Sequence, residues 1–61
     1  MTKREIQILT LVKDGLTNQQ IAEELEISPH TVQNHVRNIL RTLDVSNRIQ
    51  AVFKAIKEEL L

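Results

Sequence analysis

Apolar residues recur at α-helical spacing along the whole chain, and no segment shows the strict alternation of a half-buried strand. Residues that favour helix boundaries divide this pattern into four segments. Thr2, Thr17, Ser28 and Ser46 are typical of helix starts, and the only glycine, Gly15, is typical of a helix end. The sequence therefore predicts an all-α domain with four helices at about 3–14, 18–25, 29–43 and 47–59.

Two of the predicted helix starts are capping boxes, in which a Thr side chain and a side chain three residues later bond each other's backbone N–H groups. These pairs are Thr2 with Glu5 and Thr17 with Gln20. Pro29 occupies the first position of the third helix, where its missing N–H costs no hydrogen bond. The connections are about two to four residues long, which suits a single compact domain over residues 1–61.

Composition excludes several classes of protein. The chain has no Cys, so it has neither disulfides nor thiolate zinc sites, and 61 residues leave no room for a deep catalytic cleft. No apolar run approaches the length of a membrane span, and no signal peptide is visible, which predicts a soluble cytoplasmic protein. No pocket or activated nucleophile is indicated, so we expect neither an enzyme nor a cofactor.

The aromatic and histidine residues limit the ligands further. Phe53 is the only aromatic residue besides His, and proteins that bind single-stranded nucleic acid usually stack bases on aromatic side chains. If the chain binds nucleic acid, a duplex is therefore expected. His30 and His35 lie five residues apart, or about 140° around a helix, so they are not expected to share a metal ion.

The charge is zero overall but unevenly distributed. Residues 1–27 carry three basic and five acidic side chains, a net charge of −2, whereas residues 28–57 carry five basic and one acidic, a net charge of +4. A zero total argues weakly against binding to a polyanion, because DNA-binding domains are usually basic. Binding depends on the local field, however, and the second half of the chain supplies a positive one.

The third predicted helix separates into an apolar and a polar face when residues are placed at 100° intervals. The apolar arc, which we expect to be buried, holds Val32, Val36, Ile39, Leu40 and Leu43. The opposite face holds Gln33, Asn34, Arg37, Asn38 and Arg41. Asn and Gln pair with adenine and Arg pairs with guanine, so this acid-free face is suited to reading base edges. The competing interpretation is an ordinary solvated face.

The fourth predicted helix, α4 (about residues 47–59), is more apolar than one core contact requires. Ala51, Val52 and Ala55 cover one arc. An adjoining stripe, which we call the α4 stripe, consists of Ile49, Phe53, Ile56 and Leu60. Together they span about 200°, which a domain of this size cannot bury by itself. The alternative to a contact with a second molecule is that Phe53 or Ile49 folds into the domain core.

These features resemble the LuxR/NarL/FixJ-type helix-turn-helix domain, the output domain of many bacterial response regulators and quorum-sensing regulators. The short second helix, the turn around residues 26–28 and the amphipathic third helix match its geometry. The matching stretches, in order, are Thr2-Lys3-Arg4-Glu5, Ile8-Leu9, Leu11-Val12, Gly15-Leu16-Thr17-Asn18, Ile21-Ala22, Ile27-Ser28, Thr31-Val32, His35-Val36, Asn38-Ile39, Leu43, Val45, Asn47-Arg48 and Ala51-Val52.

The resemblance implies roles for individual residues. It places base contacts on Gln33, Asn34 and Arg37, and phosphate contacts on the set Asn18, Ser28, Thr31, His35 and Arg41. Gln33 departs from the family, which most often has Lys at this position. The amide favours adenine as the base, and the loss of a positive charge weakens the salt-dependent part of DNA binding. The resemblance also makes the α4 stripe a homodimer contact. Glu5 and Arg48 match acidic and basic positions, from which we expect an ion pair joining the first and fourth helices.

The resulting expectation is a sequence-specific, double-stranded DNA-binding domain that regulates transcription as a dimer. The resemblance implies RNA polymerase as a further candidate partner and a parent regulator with an N-terminal receiver or sensor domain, which this chain lacks; a stand-alone regulator is the alternative. The competing function is a helical protein-interaction module with the same fold and little DNA binding. Zero net charge and Gln33 favour that alternative, and the acid-free face of the third helix counts against it.

Overall fold

The computed structural model describes residues 1–61, which form four helices and no strand. The helices are α1 (Lys3–Lys13), α2 (Asn18–Leu25), α3 (Pro29–Leu43) and α4 (Arg48–Lys57). The predicted all-α, four-helix fold is confirmed. The bounds of α2 and α3 agree with prediction, α1 ends one residue earlier, and α4 is shorter by one residue at its start and two at its end.

Side-chain caps begin the first three helices where the sequence predicts them. Thr2 Oγ1 accepts from the Glu5 N–H at 3.1 Å, and Glu5 Oε1 accepts from the Thr2 N–H at 2.9 Å. Thr17 and Gln20 repeat this box at 3.2 and 2.9 Å. At the start of α3, Ser28 Oγ accepts a backbone N–H at 3.0 Å. These bonds satisfy N–H groups that have no partner within the helix.

The predicted cap of α4 is wrong by one residue. Asn47, not Ser46, is the N-cap, and its Oδ1 accepts from the Gln50 N–H at 2.9 Å. Gln50 Oε1 in turn accepts from the Ser46 N–H at 2.8 Å. A cap at Ser46 would place Ile49, which cannot accept a hydrogen bond, at the third helical position. The cap at Asn47 places the amide of Gln50 there instead, and this amide bonds the residue before the cap, so α4 begins without a complete capping box.

All four helices end in the same way. A residue with left-handed backbone follows each helix: Gly15 (φ 91°), Glu26 (φ 57°), Asp44 (φ 55°) and Glu59 (φ 61°). The next residue is apolar, and its N–H bonds the carbonyl five residues back at 2.8 to 3.1 Å. These bonds are Leu16–Leu11, Ile27–Ala22, Val45–Leu40 and Leu60–Ala55. This Schellman arrangement satisfies the last carbonyls and turns each connection back towards the core.

The core consists of eleven buried apolar side chains and contains no polar group. They are Ile8, Leu9 and Val12 of α1, Ile21 and Ala22 of α2, Val32, Val36, Ile39 and Leu43 of α3, and Ala51 and Ala55 of α4. Helix α3 packs against all three other helices. Leu40, predicted to be buried, is only half-buried and lies against the edge of the core. None of the helices combines the length and hydropathy that a membrane-spanning segment requires.

Glycine at position 26 should stabilise the fold. Glu26 has φ 57° and ψ 42°, a conformation that is unfavourable for an L-residue with a Cβ atom and accessible to glycine. We expect Glu26→Gly to raise the free energy of unfolding by about 0.5–1 kcal/mol, as measured by urea denaturation. Asp14→Gly is the matched control, since Asp14 has φ −77° and ψ 0°, which any L-residue adopts. Glycine there only raises the conformational entropy of the unfolded chain, so this variant should be less stable than the wild type. A loss of stability in Glu26→Gly would contradict the prediction.

Candidate nucleic-acid interface

The outer face of α3 is solvent-exposed and carries no acidic residue. We call it the α3 outer face; it consists of Gln33, Asn34, Arg37, Asn38 and Arg41, all exposed. On the opposite side of the helix, four apolar side chains are buried in the core. Because α3 contacts the other three helices through that buried side, the α3 outer face is held in a fixed orientation. The face predicted for base reading is therefore accessible.

The connection from α2 to α3 consists of only three residues, Glu26 to Ser28. Glu26 reverses the chain in the left-handed conformation, and the Ile27 N–H bonds the Ala22 carbonyl at 3.0 Å. Ser28 then caps α3. The turn therefore consists of a left-handed residue, a residue whose N–H is bonded back to α2, and the cap of α3. This is the helix-turn-helix arrangement expected from the sequence.

Two predicted site residues from different helices are in direct contact. Asn18 Nδ2, on the first residue of α2, donates to Gln33 Oε1 on α3 at 2.9 Å. The second polar atom of the same amide, Asn18 Oδ1, is buried and has no hydrogen-bond partner. The family resemblance implied a phosphate contact for Asn18 and a base contact for Gln33, but gave no indication that the two would bond each other across fifteen residues.

The start of α3 holds two of the predicted phosphate contacts close together. Ser28 Oγ lies 2.9 Å from Thr31 Oγ1, and either hydroxyl is able to donate. One hydroxyl hydrogen is used in this bond, so the other stays free to donate to an anion. Pro29 has no N–H, and the Thr31 N–H is taken by Ser28. His30 therefore keeps the first free backbone N–H at this helix end.

The two remaining predicted phosphate contacts differ in exposure. His35 is half-buried, whereas Arg41 is exposed in the last turn of α3. His30 is exposed at the start of the helix. No group of three or more His, Cys, Asp or Glu side chains is arranged to hold a metal ion.

The expected ion pair between Glu5 and Arg48 is not present. The only ion pair in the structure joins Lys54 to Glu58, within α4, at 4.0 Å. Glu5 instead uses its carboxylate to accept from the Thr2 N–H, since this bond closes the capping box of α1. The prediction was wrong: the hydrogen bond that the Glu5 carboxylate makes is a local one, to a partner three residues away. The structure shows no ion pair for Arg48, which is half-buried.

A contact that the sequence did not predict joins α4 to the end of α3. Lys54 Nζ donates to the Leu43 carbonyl at 2.7 Å. Leu43 is the last residue of α3, where the helix dipole favours a positive charge. The bond spans eleven residues, so no local pattern indicates it. It fixes the C-terminal end of α3 against α4.

The α4 stripe is exposed in the single chain. Phe53 is 69% exposed and Ile49 is 61% exposed, while Ile56 and Leu60 are also exposed. The alternative in which Phe53 or Ile49 folds into the core is therefore excluded. The buried side of α4 holds Ala51 and Ala55, so the core contact uses the small residues and leaves the large ones on the surface.

Comparison with known proteins identifies the family. Residues 1–55 match the model of the luxR family of bacterial regulatory proteins. The chain belongs to this family. The match extends over all four helices up to Ala55, so it includes the α2–α3 turn and the α3 outer face.

Three curated bacterial proteins are similar to this chain over nearly the whole length of the chain. It is 49% identical over 61 residues to the transcriptional regulatory protein LiaR of Bacillus subtilis and 44% identical over 61 residues to the response regulator protein VraR of Staphylococcus aureus. It is also 49% identical over 57 residues to the transcriptional regulatory protein DegU of Brevibacillus brevis. The chain covers 29% of LiaR and of VraR and 24% of DegU, so it spans less than a third of these relatives.

Solved structures of similar proteins have the same fold. The response regulator ChrA of a heme-sensing two-component system superposes with a TM-score of 0.95 and 40% identity, covering 98% of this chain and 30% of ChrA. The transcription factor GerE superposes with a TM-score of 0.93 and 34% identity, covering 97% of this chain and 88% of GerE. The chain is thus a helix-turn-helix domain of the luxR family.

Removing Glu5 and Arg48 should have independent effects on stability. Glu5→Ala breaks the capping box and is expected to lower the free energy of unfolding by about 1 kcal/mol. In Glu5→Ala/Arg48→Ala, we expect the two changes to add within about 0.5 kcal/mol, because the side chains form no ion pair. Urea denaturation of both single variants and the double variant measures this coupling. A coupling energy above about 1 kcal/mol would contradict this prediction and would indicate that the two side chains do form an ion pair.

Proposed function

We propose that this luxR-family domain binds double-stranded DNA at specific sequences and regulates transcription, with α3 lying in the major groove. The observation that carries this proposal is the exposed, acid-free α3 outer face on a helix whose other side is buried. A major groove about 12 Å wide admits one α-helix. The alternative, a protein-interaction module, offers no comparable explanation for five amide and guanidinium side chains on one face.

Base recognition is assigned to Gln33, Asn34 and Arg37. Side-chain amides pair with adenine through N6 and N7, and a guanidinium pairs with guanine through O6 and N7. All three side chains are exposed and lie within two turns of α3. They are thus able to contact neighbouring base pairs while the apolar side of the helix stays in the core.

Phosphate contacts are assigned to five residues around this helix: Asn18, Ser28, Thr31, His35 and Arg41. Ser28 and Thr31 support the assignment because their mutual bond leaves one hydroxyl hydrogen free at the start of α3. Arg41 supplies charge in the last turn of the same helix. Residues 28–57 carry a net charge of +4, so attraction to a duplex is local to this half of the domain.

Dimerisation is assigned to the α4 stripe of Ile49, Phe53, Ile56 and Leu60. These side chains are exposed in the single chain, and large apolar groups of this kind are favoured at contacts between molecules. A two-fold contact between two copies of α4 would place two α3 helices on successive half-sites. The domain would then recognise paired half-sites as a homodimer.

The whole regulator is a further part of the proposal. The response regulator VraR is matched over only 29% of its length, and we propose a longer parent protein with an N-terminal receiver or sensor domain. We propose that such a domain controls dimerisation and that DNA-bound copies contact RNA polymerase. The function needs no catalytic residue and no cofactor.

Replacing Arg37 should relax the selected DNA sequence at one position. We expect Arg37→Ala to lose about 1–3 kcal/mol of binding free energy on the selected site, because one bidentate base contact is removed. Selection from random duplex DNA, followed by titration of the chosen site at several salt concentrations, measures both effects. Lys13→Ala is the matched control, since it removes one positive charge from α1, outside the proposed contact set.

Two outcomes would count against base reading by Arg37. An equal loss on every DNA sequence would make Arg37 a phosphate contact only. If the wild-type domain selects no sequence and binds no duplex even at low salt, the DNA-binding proposal fails and the protein-interaction module replaces it.

Replacing Phe53 should separate dimer formation from folding. We expect Phe53→Glu to bind one half-site but to lose cooperative binding to paired half-sites, because a carboxylate cannot be buried at an apolar two-fold contact. Phe53→Gln, which removes the ring without adding charge, should show a smaller loss of the same kind. Stability should stay near that of the wild type, since Phe53 is 69% exposed. Gel-shift titrations on one and two half-sites measure cooperativity. Unchanged cooperativity in Phe53→Glu would exclude the α4 stripe as the dimer contact.

A further inference from the structure

The hydrogen bond between Asn18 and Gln33 is the only bond in the structure that joins side chains of two different helices. Asn18 is the first residue of α2, and Gln33 lies in the second turn of α3. The bond therefore links the supporting helix of the helix-turn-helix to one of the proposed base-reading side chains. Gln33 is exposed, and such a side chain would otherwise rotate freely about three torsions.

The Asn18 amide is held in place although one of its atoms lacks a partner. Asn18 Oδ1 is buried without a hydrogen bond, which costs free energy in a folded protein. The donor atom of the same amide is directed outward to Gln33 Oε1 at 2.9 Å. The buried environment thus limits the motion of Asn18, and a restrained Asn18 restrains Gln33.

The direction of this bond determines how Gln33 meets a base. Because Gln33 Oε1 accepts from Asn18, the two hydrogens of Gln33 Nε2 stay free, and one lone pair of Oε1 is left. A Gln amide reads adenine by donating to N7 and accepting from N6. Rotating the amide by 180° exchanges donor and acceptor, and the reversed amide no longer matches adenine in the same pose. An amide of fixed direction is therefore more selective than a free one.

We propose that Asn18 is a positioning residue that sets the amide direction of Gln33 and thereby determines base specificity at one position of the DNA site. The inference rests on the proposed function and extends it. It also changes the expected role of Asn18, which acts through a neighbouring side chain in addition to any contact with phosphate.

The first test is the base preference of Asn18→Ala. The relevant base pair is located as the position at which Gln33→Ala alone relaxes selection from random duplex DNA. At that position we expect Asn18→Ala to lower the preference for adenine about three- to tenfold, which is the effect of one side-chain hydrogen bond. Gln19→Ala is the matched control on the next residue of α2, which makes no side-chain hydrogen bond, and it should leave the preference unchanged.

The second test reverses the bond. In Asn18→Asp the carboxylate only accepts, so it would bond Gln33 Nε2 and direct Oε1 towards the groove. We expect this variant to lose the adenine preference more completely than Asn18→Ala does. In a Gln33→Ala background, neither change at residue 18 should alter base preference. In the free domain, NMR relaxation of the Gln33 side-chain amide should show greater mobility in Asn18→Ala than in the wild type.

The outcomes separate this inference from the proposed function. If Asn18→Ala weakens binding to all sequences equally, and equally so in the Gln33→Ala background, Asn18 contacts only phosphate and the inference is overturned. The same holds if Gln33→Ala relaxes no position of the selected site. A wild-type domain that selects no sequence overturns the proposed function as well. Circular dichroism and urea denaturation of every variant establish that the comparisons are made between folded proteins.

Discussion

The burial of one side of α3 against the three other helices is the contact on which the remaining structure depends. Four of the eleven buried side chains belong to α3, and no other helix contributes more than three. A domain of 61 residues buries a smaller fraction of its surface on folding than a larger domain does, and it has little stability to spare. Because the apolar side of α3 is needed for the core, its polar side is necessarily the one presented to solvent. Stability and recognition thus use opposite faces of the same helix.

The helix ends make this packing possible in so short a chain. Each helix ends in a left-handed residue followed by an apolar one, so the chain turns within a few residues and returns to the core. Only the first of these positions is a glycine, and Glu26, Asp44 and Glu59 adopt the same conformation at an energetic cost. At Glu26 the cost accompanies the tight turn between α2 and α3. That turn brings Asn18 within hydrogen-bond distance of Gln33.

Local patterns in the sequence were sufficient to predict the fold, but they did not predict the contacts between residues that are far apart in the chain. The capping boxes at Thr2 and Thr17 connect residues three apart, so the sequence predicted them and the structure confirmed them. The bond from Lys54 to the Leu43 carbonyl depends on how two helices cross, which periodicity does not specify. The proposed pair of Glu5 and Arg48 is another contact between two helices, and it is absent; the Glu5 carboxylate bonds the Thr2 N–H within its own capping box.

The candidate site shows the same division. Helical periodicity sufficed to place Gln33, Asn34 and Arg37 on the exposed face, since each position follows from 100° per residue. Periodicity does not reveal the direction in which the Gln33 amide is held, because that depends on a partner fifteen residues earlier. The periodicity of one helix is therefore enough to identify the side chains that are able to contact a base. On the proposal made above, the selectivity of Gln33 depends on how α2 lies against α3, and the two helices are joined by a turn of only three residues.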